Sequence, residues 1–269
     1  YSSAASDVYK RQVHAVLQAA LKQAVKERLI PYNPCENCRI PPKDKKEMTI
    51  LPPEKIGRYL QEAEKYGVLP MFYLELSSGL RRGELLALQW TDLNVKERIL
   101  TVNKQVTRME GELDVTEPKT KNSVRKVALS QQAVDLLVQE HEQHPDNPIL
   151  FPSPRTGGYW SPDAVSRINR KLLKTAGIEE HVRFHDLRHT FATMAISSGV
   201  DVKTLSSMLG HYSAGFTLDT YTHITNDMQR GAAEKIGGFM ESATATTTPE
   251  PPDPPEESRC KVIPFEKVG

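Results

Sequence analysis

Between residues 99 and 129 the apolar pattern changes period, and this change constrains the fold more than any other feature of the chain. On both sides of it, apolar residues recur at the three-and-four spacing of helices with one buried face. Inside it, Ile99, Thr101, Val102, Val106, Thr107 and Val115, then Val124, Val127 and Leu129, fit short strands, with Gly111 in a turn. Helical spacing predicts helices over 53–65, 69–78 and 80–88 before this stretch. It predicts others over 131–141, 161–175, 184–198, 201–209 and 226–239 after it. Pro53 and Glu54 suit the first turn of the earliest of these. The expected fold class is mainly α with one small antiparallel β-sheet, an α+β domain.

An earlier helix is predicted from Val13. Val13, Val16, Leu17, Ala20, Leu21, Ala24 and Val25 share one face, expected to be buried, and the helix stops before Pro31. Residues 31–48, PYNPCENCRIPPKDKKEM, are rich in proline and charge and read as a linker. Three parts are therefore expected: a last helix with linker over 1–42, a main domain over 43–240, and a tail over 241–269. Six of the 19 prolines lie in that tail, which is expected to be disordered. The chain begins with Tyr1 rather than Met, so its first part reads as the end of a domain whose beginning is absent. Residues 1–12 have no apolar period and are set aside from the fold.

Several classes of protein are excluded. No apolar run approaches the ~18–20 residues that cross a bilayer, and nothing resembles a secretory signal. Three cysteines in 269 residues argue against a disulfide scaffold and for a reducing compartment, the cytoplasm. Cys35 and Cys38 form a lone C-x-x-C pair that needs a second pair of ligands for zinc. Only Cys260 remains, so no zinc site is expected. The net charge of +1 averages a tail of −3 and a body of +4, and this mildly basic body permits nucleic-acid binding without requiring it.

Four segments can carry chemistry: SSGLRRGELLAL (77–88), PKTKNSVRKVAL (118–129), RFHDLRHTFAT (183–193) and MLGHYSAGFTLDTYTH (208–223). In the first, Arg81 and Glu84 lie three apart, with Arg81 in the first turn of a helix. A surface ion pair is the bland reading. The placement is odd, because a cation at a helix N-terminus meets the positive end of the dipole unless an anion joins it. In the third, Leu187, Phe191 and Met194 make an apolar stripe. His185 and Arg188 stand ~60° apart away from its centre, which presents them together or merely forms a solvated polar face. His185 and His189, four apart, also suit a metal, with His211 or His223 as a third ligand. Gly210 leaves His211 at a helix–loop junction, and Tyr221 follows ten residues later. Lys119, Lys121, Arg125 and Lys126 surround the strands, where charged edges also resist aggregation.

Taken in order, GLRRGE, KT before a strand, HDLRH, LGH, and YTH ten residues after that histidine resemble the tyrosine recombinases, the phage-integrase family. The integrases of phages and conjugative transposons are the nearest in pattern. The resemblance covers about 13–240, and it implies a tyrosine recombinase catalytic-domain-like fold. It implies that Arg81 and Arg188 bind the scissile phosphate and that Tyr221 is the nucleophile. His185 then accepts a proton, His211 binds a phosphate oxygen, Lys119 is the general acid with Lys121 as a neighbouring candidate, and Glu84 supports Arg81. No cofactor and no metal are implied. The implied partner is double-stranded DNA at attachment sites, engaged as a tetramer by a protein that is monomeric without DNA, with accessory bending or directionality factors and no membrane. The implied location is cytoplasmic, at the nucleoid. Other readings of the same residues are a type IB topoisomerase-like nicking enzyme, a non-catalytic DNA-binding remnant, and a metal-dependent hydrolase.

Overall fold

The computed structural model describes residues 3–40, 49–109, 111–117, 124–211, 215, 217–218 and 233–242. The chain forms two compact units, 1–48 and 49–269.

In the first unit, helix α1 spans Ser3–Lys26 and is followed by turns through residue 38. Two expectations fail here. Residues 3–12, set aside for want of an apolar period, are helical. Their Ala, Lys, Arg and Gln content favours a helix without any burial. The face expected to be buried is open instead, with Val16 70% and Leu17 48% exposed. The linker residues 41–48 lie outside the described residues, as does the tail from 243 onward.

The second unit runs α2 (Pro53–Lys65), α3 (Leu69–Ser78), α4 (Arg82–Ala87), a single 3₁₀ turn, then five strands: β1 (Leu93–Asn94), β2 (Ile99–Val102), β3 (Gln105–Met109), β4 (Glu112–Thr116) and β5 (Arg125–Ala128). It continues with α5 (Gln131–Glu142), α6 (Pro162–Thr175), α7 (Phe184–Ser197) and α8 (Val202–Leu209). A last helical stretch, α9, covers 233–242; the residues 226–232 predicted as its start lie outside the described residues.

Helix α3 is apolar nearly all round and is buried accordingly, packing against α2, α5 and α7. Phe72 on α3 sits between Tyr59 on α2 and Phe184 on α7, edge to face at ring separations of 5.8 and 5.7 Å. The Tyr59 hydroxyl is buried but satisfied, since it donates to Asn169 Oδ1 at 2.6 Å, and Asn169 donates in turn to the Val182 carbonyl. This core fixes the mutual positions of α3 and α7, which both lead into the site.

The single expected sheet is two. Strands β1, β2 and β5 form one antiparallel sheet, and β3 and β4 form a separate hairpin turning at Gly111. The chain leaves β2 at Asn103 and Lys104 instead of continuing the ladder. Lys104 is held there by Gln89 Oε1 and Asp92. The hairpin then lies against α4, where Gly83 allows a close approach: a Cβ there would sit 2.8 Å from the Val106 carbonyl oxygen. In the three-stranded sheet Leu100 faces Val127 and Val102 faces Arg125, and all four are buried. Strand alternation thus turns Arg125 inward with Val127.

Candidate functional site

The site begins with a turn. Helix α3 ends at Gly79, which adopts a left-handed conformation (φ 59°) and donates its N–H to the Glu75 carbonyl. Glycine is required twice over: the positive φ suits it, and a Cβ would fall 2.3 Å from the Phe191 ring. This turn aims the Gly79 carbonyl at Arg188 and starts α4 at Arg82, two residues later than the predicted Leu80. Arg81 therefore caps the helix with extended backbone instead of occupying its first turn.

The anion that a cation needs there is Glu84. Its Oε2 accepts the Arg81 backbone N–H at 2.9 Å, and its Oε1 accepts Arg81 Nη1 at 2.7 Å. Arg125 grips the same carboxylate with Nη2 at 2.8 Å and Nη1 at 3.1 Å. The Glu84 side chain is only 2% exposed, so this is no surface ion pair. Burial works to raise its pKa, but the Arg125 fork and the Arg81 N–H prevail and hold it below the usual carboxylate value. Glu84 is accordingly ionised.

The C-terminus of α8 draws the two arginines together. Arg81 Nη2 donates to the Gly210 carbonyl at 2.8 Å, and Arg188 Nη2 donates to the Leu209 carbonyl at 2.6 Å. Arg125 Nε takes the preceding carbonyl, Met208, at 2.6 Å. Three guanidiniums, from the cap of α4, from β5 and from α7, thus end on three consecutive carbonyls, where the helix dipole is negative. Gly210 is left-handed (φ 64°) and leaves room for Arg125, whose Nη1 would lie 3.0 Å from an added Cβ. Arg188 also donates to the Gly79 carbonyl at 2.7 Å. It is 3% exposed, which removes the reading of its helix face as merely solvated. Among the described residues, two of its five N–H groups meet carbonyls. Burial and then the neighbouring Arg81 lower its pKa to about 10, which still leaves it charged at neutral pH.

Three histidines border this cluster. His211 follows Gly210 directly, and its Nδ1 lies 2.8 Å from the buried Thr217 hydroxyl. Burial, then Arg188 and Arg81, lower its pKa to about 4. His185 is on the first turn of α7, exposed, with its pKa lowered by desolvation and by Arg188. Its ring stands edge-on to His189 at 5.1 Å. His189 is lowered to about 4, chiefly by burial and next by His185. All three are neutral at pH 7, able to accept a proton or a hydrogen bond. The start of α7 is set by Asp186, a buried acid that takes the Arg183 N–H at 2.7 Å and the Arg183 side chain.

The structure therefore brings together Arg81, Glu84, Arg188, His211 and, at the rim, His185. Lys119, its neighbour Lys121, and Tyr221 lie outside the described residues, as does His223. Two further members were not singled out from the sequence. Arg125 was counted among the charged strand edges, though its two-residue spacing from Val127 is a signal that it faces inward. Glu75, on α3, is fully buried beside this cluster, with no hydrogen-bond partner for either oxygen among the described residues. Its pKa is raised well above the carboxylate range by burial, against the pull of Arg188. The signal that could have found it is its place as the single charged residue in the apolar helix LPMFYLELSS. Among the described residues, His185 and His189 meet no third metal ligand; the one group of three that does converge is His14, Cys35 and Cys38.

Residues 51–228 match the phage integrase family. The ICEBs1 integrase of Bacillus subtilis (strain 168) is 31% identical over 230 residues, which are 81% of this chain and 62% of that protein. A XerC-like tyrosine recombinase of Caldanaerobacter subterraneus subsp. tengcongensis is 28% identical over 268 residues, 89% of this chain and 68% of that one. The integrase of Staphylococcus phage L54a is 30% identical over 177 residues, 59% of this chain and 48% of its own. This chain thus spans about half to two thirds of the length of these relatives. In fold it resembles the Tn1549 transposon integrase in complex with transposon right end DNA, with a TM-score of 0.73 and 23% identity over 84% of this chain and 78% of that one. The XerA recombinase superposes with a TM-score of 0.57 at 25% identity, covering 78% of this chain and 73% of that one.

Proposed function

The chain belongs to the phage integrase family, and from that premise we propose that it is a site-specific DNA recombinase that integrates or excises a mobile element or prophage. The observation that carries this reading is the convergence of Arg81 and Arg188 on the adjacent carbonyls of Gly210 and Leu209. Three guanidiniums against the one ionised carboxylate of Glu84 leave a surplus of two positive charges, since burial keeps Glu75 protonated. A phosphodiester, which gains charge as it becomes pentacoordinate, is the complement of that surplus. Guanidinium forks suit it because they bind phosphate oxygens bidentately and stay charged.

In this reading the Tyr221 hydroxyl oxygen attacks the phosphorus of a strand in double-stranded DNA. The bond to the 5′ oxygen breaks and a 3′-phosphotyrosyl bond forms. The phenol proton passes to His185, whose neutral state supports that role, and Lys119 protonates the leaving 5′ oxygen. His211 donates to a phosphate oxygen, and Glu84 holds Arg81 and Arg125 in place. The 5′ hydroxyl of another strand then reverses the step. The covalent link conserves the energy of the diester, so the cycle needs no ATP. The transposon integrase of similar fold is bound to DNA, which supports DNA as the substrate. Ile236 and Phe239 of α9 are 64% and 71% exposed, which supports docking of this helix on a neighbouring protomer within a DNA-bound tetramer.

A duplex nicked beside the scissile phosphate tests the reading, because loss of the short strand traps the covalent intermediate. Adduct should accumulate with the wild type and vanish with Tyr221→Phe; adduct surviving in that variant would refute the nucleophile. Adduct formation by Lys119→Ala should be rescued by a 5′-bridging sulfur, a leaving group that needs no proton. Failure of that rescue moves the acid role to Lys121. Binding of DNA with no adduct from any substrate would make the chain a DNA-binding remnant instead.

A further inference from the structure

The first unit holds a second cluster with different chemistry. His14, on α1, and the C-x-x-C pair Cys35 and Cys38 each offer one ligand atom, all three atoms lying within 4.8 Å of one another. We propose that these residues form a zinc site with three protein ligands and a water in the fourth position.

The local structure argues for a prepared site. Asn33 is 5% exposed and organises the loop: its side-chain Nδ2 donates to the Gln18 carbonyl of α1 at 3.2 Å, while its Oδ1 accepts the Cys35 N–H at 2.9 Å. The Glu36 N–H then returns to the Asn33 carbonyl and the Cys38 N–H to the Cys35 carbonyl. These nested turns bring the two sulfurs to the same side, as a chelating C-x-x-C requires. Gln18 is one helical turn from His14, so pinning the loop at Asn33 brings it over the imidazole. His14 Nε2 lies 3.1 Å from the Cys35 carbonyl oxygen, a contact that orients the ring in the way second-shell partners orient metal-bound histidines. Cys35 and Cys38 are both free thiols.

Two sulfurs and one imidazole select zinc among common cellular divalent ions; calcium and magnesium prefer oxygen. Tetrahedral zinc with ordinary bond lengths sets its ligand atoms about 3.5–3.8 Å apart, so the cluster needs to close by only about 1 Å. Cys38 is exposed, which leaves one side of the site to solvent and hence to a water ligand. Binding displaces the two thiol protons to solvent, and the bound ion ties the loop at 33–38 to α1. The ion takes no part in the strand-transfer chemistry proposed above, so this inference stands or falls independently of it.

The test uses the full chain, purified without a polyhistidine tag, under reducing conditions, from zinc-supplemented cells. Elemental analysis after desalting should find about one zinc per chain, and Cys35→Ser, Cys38→Ser and His14→Ala should each lose it while keeping the wild-type far-ultraviolet circular dichroism. Cobalt(II) in place of zinc should give the intense absorption of a tetrahedral site together with thiolate charge-transfer bands. Without any variant, zinc should protect two of the three thiols from a thiol reagent. Metal-free wild type, a bound metal that survives both serine variants, or three thiols of equal reactivity in the presence of zinc would each overturn the proposal. So would loss of the metal in His185→Ala or Cys260→Ser with the three proposed ligands intact.

Discussion

Replacing Glu84 by methionine removes the centre of the arginine cluster, and the structure sets the size of the effect. The carboxylate accepts four hydrogen bonds, two from Arg125, one from the Arg81 side chain and one from the Arg81 backbone, at 2.7–3.1 Å. At about 1.5–3 kcal/mol for each bond to a charged group, a simple sum would exceed the whole stability of many domains. The bonds share one desolvated carboxylate, however, and the relevant quantity is the penalty for breaking a buried pair, about 3–5 kcal/mol. Glu84→Met should cost that much, because Arg125, with a side chain 5% exposed, is left buried with less to neutralise it. Arg125→Met should cost less, since Glu84 keeps Arg81. The double variant removes both buried charges, so it should be more stable than the sum of the singles by about 2 kcal/mol. Urea denaturation followed by tryptophan fluorescence is a clean assay, because Trp90 and Trp160, the only tryptophans, both belong to the second unit. A Glu84→Met loss below about 1 kcal/mol, or strict additivity of the two substitutions, would refute the claim that this pair holds the site together.

Three further outcomes follow from the same geometry. Gly79→Ala should lose about 3 kcal/mol, combining a left-handed alanine with a Cβ driven into Phe191, whereas Gly111→Ala, also at positive φ but in open space, should lose only the backbone share; equal losses in denaturation would be inconsistent with the packing. Glu75 has a raised folded pKa, so its contribution is fully present below its unfolded value and is lost as pH rises through the folded one. Glu75→Gln should therefore leave the urea midpoint at neutral pH unchanged or higher, and a loss above about 2 kcal/mol would mean that the carboxylate is ionised and paired with Arg188. His189 and His211 have lowered folded values near 4, so the unfolded state binds more protons between about pH 6.5 and 4, and stability is lost as pH drops through that window. A His189→Leu variant should show a shallower acid slope than the wild type, and an identical slope would contradict the burial of that ring.

The periodicities alone were sufficient for α2, α3, α5, α6, α7 and α8, each recovered to within a residue or two, because these helices bury one stripe or are apolar throughout. The strands were legible as well, but their partition into two sheets was not. Alternation tells which residues share a face; it does not tell whether β3 continues beside β2 or leaves it. The buried face expected of α1 failed for a related reason: a stripe of Val and Leu records a tendency to be covered, and the cover has to come from another element. At the site, GLRRGE and HDLRH taken singly left Arg81, Glu84, His185 and Arg188 open to a surface-pair or solvated-face reading, and only the ordered set of motifs, through its resemblance to the phage-integrase family, picked them out.

What the amino-acid order determined without help was which segments are helix or strand and the ordered motifs whose resemblance points to the family. What needed the folded chain was every relation across long sequence distance. Arg81, Arg125 and Arg188 meet only because the last turn of α8 offers three carbonyls in a row. Glu84 and Glu75 take opposite protonation states because one is ringed by donors and the other is buried with no donor to it among the described residues. His14 joins a cysteine pair 21 residues away because Asn33 fastens the intervening loop to the helix. Side-chain period is a local property of backbone geometry, whereas charge state and ligand convergence depend on what the rest of the chain brings within a few ångströms.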